Sequence, residues 1–255
     1  MLRVETDPPR TTFTIDDPER RNPLSNQIIA ELADAVETAA RDREARVLVF
    51  TGAGDRAFSA GGDLSGGFVD TPVAGHEARG ALARLFRNMR RCGKPTVARV
   101  NGHALGGGLG LAAACDIVIA AEHATFGTPE ISIGLWPMMI SAVLQEVMPQ
   151  RAALEMMLLG STLSADEARE AGIVSRVVPA GELDAAVDRV VAALASRSPA
   201  TLRLGRDAFY TVADMDFDTS LQHLHSGLTV LAATEDAAEG VAAFLQKRPP
   251  QWRGR

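Results

Sequence analysis

The sequence predicts an α/β fold that passes into a helical C-terminal region. Apolar, β-like runs at RVLVFTG (46–52), PTVARVNG (95–102) and DIVIAAE (116–122) alternate with helical patterns up to about residue 125. From residue 139 on, helix periodicity dominates, interrupted only by GIVSRVV (172–178) as a strand. No strong linker divides the chain. Residues 1–195 read as one α/β core, with a soft boundary near 195 and a helical tail, 196–255, opened by Pro199.

The elements follow in order. TTFTIDD (11–17) alternates enough to be a strand. Ser25 suits a helix cap, and Ile28, Ile29, Leu32, Val36 and Ala40 fall on one helical stripe. After RVLVFTG, the segment GGFVDTPVAGHEARG (66–80) is rich in glycine and polar residues and reads as a mobile loop. ALARLFRNMRRC (81–92) reads as a helix whose basic residues near its end suit the helix dipole. LGLAAAC (109–115) reads as a short helix after PTVARVNG. Further helices are expected at 139–148, 151–159, 164–171, 181–197, 199–213, 217–233 and 235–246.

Bulk properties narrow the class. A chain of 255 residues allows one large domain, or one domain with a small appendage, and can bury a sizeable core. Lys and Arg number 26 against 32 Asp and Glu, a net charge of −6, which argues against a general nucleic-acid binder. A local basic spot for a phosphate stays open. Cys92 and Cys115 have no metal-type spacing and read as buried free thiols. MLRVETDPPR lacks a basic-then-apolar signal pattern, and no apolar run reaches the roughly eighteen residues of a membrane span. The expectation is a soluble cytoplasmic protein without a membrane or nucleic-acid partner.

The chemistry centres on two glycine-rich turns, FSAGGDL (58–64) and NGHALGGGLG (101–110), each after an apolar run, and on an acid in FGTPEISIG (126–134). Glycine lets backbone approach a ligand closely. Two such turns aimed at one point would offer main-chain N–H groups to a developing oxyanion. The plain alternative is that both turns are structural. Gly108-Leu-Gly110-Leu-Ala-Ala113 also satisfies a dinucleotide pattern, but Glu122 lies too close behind it for that fold. Glu130 follows Pro129 among apolar and small residues, where desolvation would raise its pKa for acid–base work. A solvated loop acid is the other reading. His223 and His225 do not share a helix face, and His76 and His103 lack partners in sequence, so no metal site is expected. No serine sits in a nucleophile elbow.

These motifs, with RRNPLS (20–25) and the tail EDAAEGVAAFLQKRPPQW (235–252), resemble the enoyl-CoA hydratase/isomerase, or crotonase, family in order and nearly end to end. The resemblance implies a spiral of ββα units with a C-terminal helical region, here 196–255, that forms a homotrimer or a dimer of trimers. It implies coenzyme A thioester substrates and no separate cofactor, since coenzyme A is part of the substrate. Gly62 and Gly107 match the oxyanion donors, with Gly106 beside them. Ala60, Asp63 and Leu64 would line the coenzyme's path, with Arg20 and Arg21 near it and Pro129 beside Glu130. Phe244 and Lys247 match tail positions that reach the coenzyme, in related enzymes from a neighbouring subunit.

One departure bears on mechanism. The two-acid hydratases that this chain resembles carry a glutamate where Gly110 stands, and a second that matches Glu130. A double-bond shift needs one carboxylate, so an isomerase reaction with Glu130 as shuttle is the favoured expectation. A hydratase is the alternative, with a residue outside the motifs (Asp70, His76 or Glu77) or a fixed water replacing the missing acid, and Gly110→Glu adding hydration if the pocket tolerates it. An acyl-CoA binding protein with little catalysis is a third, and other enolate chemistry a fourth. Trp136, Pro137, Met138 and Met139 are expected to shape the acyl pocket.

Overall fold

The computed structural model describes residues 1–63 and 72–255. The chain begins with the hairpin β1 (Leu2–Asp7) and β2 (Arg10–Ile15), then α1 (Asn26–Arg41). Three further units repeat a pattern of long strand, short strand and helix. They are β3 (Val47–Gly52), β4 (Ala57–Ser59) and α2 (Pro72–Arg91); β5 (Thr96–Val100), β6 (His103–Leu105) and α3 (Gly107–Ala113); and β7 (Ile117–Ala121), β8 (Thr125–Gly127) and α4 (Met138–Val147). α5 (Gln150–Leu159), β9 (Thr162–Ser164), α6 (Ala165–Glu170), β10 (Arg176–Val178) and α7 (Leu183–Ala195) complete the core. The tail is α8 (Pro199–Thr211), α9 (Phe217–Ala232) and α10 (Glu235–Leu245).

Among the described residues the strands form two sheets. The large one runs β1-β2-β3-β5-β7-β10 and the small one β4-β6-β8-β9. From β2 onward the large sheet is parallel, and β1 and β9 are antiparallel edges. Each turn of the spiral therefore lays a long strand in one sheet and a three-residue strand in the other. This is the ββα arrangement expected of the crotonase fold.

The sequence dictates the layering. All six residues of β3 are buried, as a strand covered on both faces requires. Val47 and Val49 pack with Val187, Val190 and Val191 of α7 in one cluster, while Leu48 and Phe50 face the main core. Phe13 and Phe50 stack at 4.9 Å between β2 and β3, where they are register partners. Ser25 caps α1, accepting from the Ile28 amide at 3.2 Å. The buried stripe of α1 is Ile28, Ile29, Leu32, Ala33, Val36 and Ala39, so Ala39 rather than Ala40 closes it.

The structure corrects several expectations. Of the expected loop 66–80, residues 66–71 lie outside the described residues and the rest is helix from Pro72 onward, because α2 starts nine residues before the apolar stripe at 81 reveals it. GIVSRVV forms a strand only at 176–178. The hairpin strand β1 and the short strands β4, β6, β8 and β9 are additional. No helix among the described residues is long and apolar enough to cross a membrane.

Candidate active site

The first glycine turn leaves β4 at Ser59 and is fastened to RRNPLS. The Ala60 amide donates to Arg21 O at 2.9 Å, Leu24 N to Gly61 O at 2.8 Å, and Asp63 N to Leu24 O at 3.0 Å. Asn22 makes this possible. It is fully buried with φ +55°, and its side-chain amide donates to Ala53 O and Ala57 O at 2.9 and 2.7 Å, while its Oδ1 accepts from Asp17 N. Asn is among the few residues that tolerate this left-handed backbone.

The second turn follows β6 and opens α3. Gly106 has φ +51°, and its amide donates to Gly127 O at 2.8 Å. The two turns meet. A Cβ built on Gly61 would lie 3.5 Å from Gly107 N, and one on Gly107 would lie 3.9 Å from Gly62 N. Among the described residues, neither the Gly62 nor the Gly107 amide donates to a backbone acceptor outside regular helix and strand ladders.

Glu130 stands in a 3₁₀ turn, Pro129–Ile133, closed by Gly134 in left-handed conformation. Its Oε1 lies 2.7 Å from where a Cβ on Gly106 would be, so the carboxylate rests on the second turn. Its Oε2 is buried and has no hydrogen-bond partner among the described residues. Burial raises the pKa above the ordinary 4.5, opposed only by its own backbone amide. A desolvated carboxylate with an idle oxygen is poised to exchange a proton with something in the cavity.

That cavity, about 730 Å³, brings together Ala60, Gly62, Gly106, Gly107, Pro129 and Glu130. The run 136–139 forms part of its wall. Sequence reasoning missed Leu24, Ile29, Leu82 and Ile140 as lining. Leu24 and Ile29 were visible as motif and stripe residues, but nothing local aimed them at a site. Arg79 of α2 also lines it.

Other expected residues lie elsewhere. Arg20 pairs with Asp63 at 2.9 Å and with Asp17 at 3.6 Å, and Arg20 and Asp63 line a smaller neighbouring hollow instead. Arg21 lies outside both hollows, with φ +63° and its carbonyl holding Ala60. Phe244 is 82% exposed on α10 and Lys247 is exposed just after it; neither lines the cavity of its own chain. Leu64 and Asp70 lie outside the described residues. His76 and Glu77 are on α2 but do not line the cavity, and Glu77 faces a separate surface hollow. Cys92 and Cys115 are buried free thiols whose pKa values burial pushes up. His103 is paired with Thr125 Oγ1 at 2.7 Å.

Known proteins resemble this chain in sequence and in fold. The family model described as enoyl-CoA hydratase/isomerase matches residues 11–255. The 2,3-dehydroadipyl-CoA hydratase of Escherichia coli is 35% identical over 95% of this chain and 94% of its own length. The crotonyl-CoA hydratase of Syntrophomonas wolfei is 34% identical over 92% and 90%. Among solved structures, the Mycobacterium smegmatis enoyl-CoA hydratase superposes with a TM-score of 0.94 at 30% identity, covering 98% of both chains. The human enoyl coenzyme A hydratase domain-containing protein 3 reaches 0.94 at 30% identity, over 98% of this chain and 99% of that one. With its fold, its paired glycine turns and a family match over nearly its whole length, the chain belongs to the enoyl-CoA hydratase/isomerase family.

Proposed function

We propose that the protein moves the double bond of an enoyl-CoA thioester, with Glu130 as the proton shuttle. The observation that carries this reading is the buried, unpartnered Oε2 of Glu130, the one carboxylate among the described residues that line the cavity. In the forward direction Glu130 takes a proton from C2 of a 3-enoyl thioester. The electron pair of that C–H bond delocalises onto the thioester oxygen, which accepts from the Gly62 and Gly107 amides. Protonated Glu130 then returns the proton at C4, and the double bond ends between C2 and C3. Nothing is added or lost, so one carboxylate suffices. Each oxyanion donor is worth roughly 10²–10³-fold and the shuttle about 10²–10⁴-fold. The raised pKa supports a group that must both accept and give the proton.

Coenzyme A enters as part of the substrate. The exposed Phe244 and Lys247 support a coenzyme contact made on a neighbouring copy, in a trimer or a dimer of trimers. The row Phe217, Leu221, Leu224 and Leu228 on α9, all exposed, supports the same assembly.

Hydration of a 2-enoyl thioester is the second reading, favoured by the names of the E. coli and S. wolfei relatives. It needs a second acid or base, and neither His76 nor Glu77 lines the cavity. Purified protein assayed with 3-enoyl- and 2-enoyl-CoA of several chain lengths separates the two. Isomerisation faster than hydration is expected; the reverse overturns the first reading. Tight binding without turnover of either would point to a binding protein.

A further inference from the structure

Gly110 has an ordinary helical backbone. Its amide donates to Gly106 O and its carbonyl accepts from Ala114 N, both at 3.0 Å. What demands glycine there is space. A Cβ on Gly110 would overlap Cγ2 of Ile140, with Ile140 Cβ at 3.0 Å and Phe86 Cζ at 3.1 Å. Ile140 is 3% exposed, sits at the start of α4, and is itself a wall of the cavity that holds Glu130. The branch methyl of Ile140 thus takes the space a side chain at Gly110 would need.

We propose that Ile140 is a specificity-determining residue. Its branched side chain, seated against Gly110, fills with hydrocarbon the point where α3 would otherwise send a side chain towards the cavity. The wall it makes offers no group to hold or activate a water. Hydration must bond a water oxygen to C3 of a 2-enoyl thioester while that water gives up a proton and C2 gains one; with no group on this wall to hold that water, the 2-enoyl product of the double-bond shift leaves without adding it. Isomerisation is kept and hydration suppressed. This inference rests on the enolate reading above. It also explains why the expected Gly110→Glu gain of hydration should not appear by itself: the volume is already occupied.

Two measurements test it, and they fail separately. The first reads packing without activity. Gly110→Ala should lower the melting temperature clearly. Ile140→Leu, which removes the branch methyl but keeps the volume, should cost little and should recover most of the Gly110→Ala loss in the double variant. Additive losses would overturn the seating of Ile140 against Gly110. The second reads chemistry. Ile140→Ala should raise the ratio of hydration to isomerisation by about tenfold or more, and Gly110→Glu/Ile140→Gly should raise it further, within the ~10²–10⁴-fold of an added acid–base group. Coupled melting with an unchanged ratio in all variants overturns the specificity claim and leaves the enolate reading intact. Wild-type protein that turns over neither thioester overturns both the enolate reading and the specificity claim, while the melting cycle still judges the packing.

Discussion

Glu130 and Gly106 are held in one another's way, and each constrains the other's chemistry. Glu130→Gln should lower isomerisation by about 10²–10⁴-fold while leaving thioester affinity, measured by calorimetry, nearly unchanged. The same substitution should raise stability at neutral pH. Burial raises the folded-state pKa of Glu130, so the protonated form is the one the fold favours, and that stability is lost as pH rises through the folded value. Melting curves should therefore show the variant ahead at pH 7 and the gap closing as pH falls from the raised folded-state value towards the ordinary 4.5. Turnover should fall as pH drops through a midpoint above 4.5, because only the ionised carboxylate can take the proton. Gly106→Ala meets two objections, a φ of +51° and the Glu130 oxygen at 2.7 Å. A loss of about 1–3 kcal/mol in denaturant unfolding from the backbone alone, together with impaired turnover, is the expected outcome.

At the level of elements, α8 is fixed to the core by one polar cluster. Asp116 accepts from Arg206 Nε at 2.8 Å, from the Tyr210 hydroxyl, and from Thr96 N and Oγ1. Arg206 also donates to Met89 O and Arg90 O, carbonyls at the end of α2, and both Arg90 and Arg206 lie 4.8 Å from the Tyr210 ring centre. Arg206→Ala strands Asp116 and those carbonyls, so a loss of about 3 kcal/mol is expected, with amide exchange in α8 accelerating most. β3 was legible as a continuous apolar run, and α1 and α9 because their helical periodicity spans several turns. The three-residue strands β4, β6, β8 and β9 were not, since period-2 alternation cannot declare itself in three residues. They carry the site nonetheless: each glycine turn leaves one of them. Glu130 and both turns were legible as motifs. Their contact across the cavity was not, and neither was the role of Ile140, because no local pattern relates α4 to Gly110.

For the whole molecule, the proposed association through the exposed apolar row on α9 and the exposed Phe244 is open to direct test. Sedimentation should return a mass near a threefold or sixfold multiple of 27.0 kDa. Leu221→Glu with Leu228→Glu should shift it towards a single chain, and KM for the thioester should rise if a neighbour completes the coenzyme site. Unchanged mass in that variant would move the interface off α9.

Asn22 gives the site a last property. The backbone that presents Gly62 is tied to residues 21–24, which a buried amide then tethers to the turn after β3 and to the start of β4. Two stretches forty residues apart thus act as a single part. A designer who grafted 58–63 onto another scaffold would transplant the glycines and leave behind what aims them, so the portable unit is the pair.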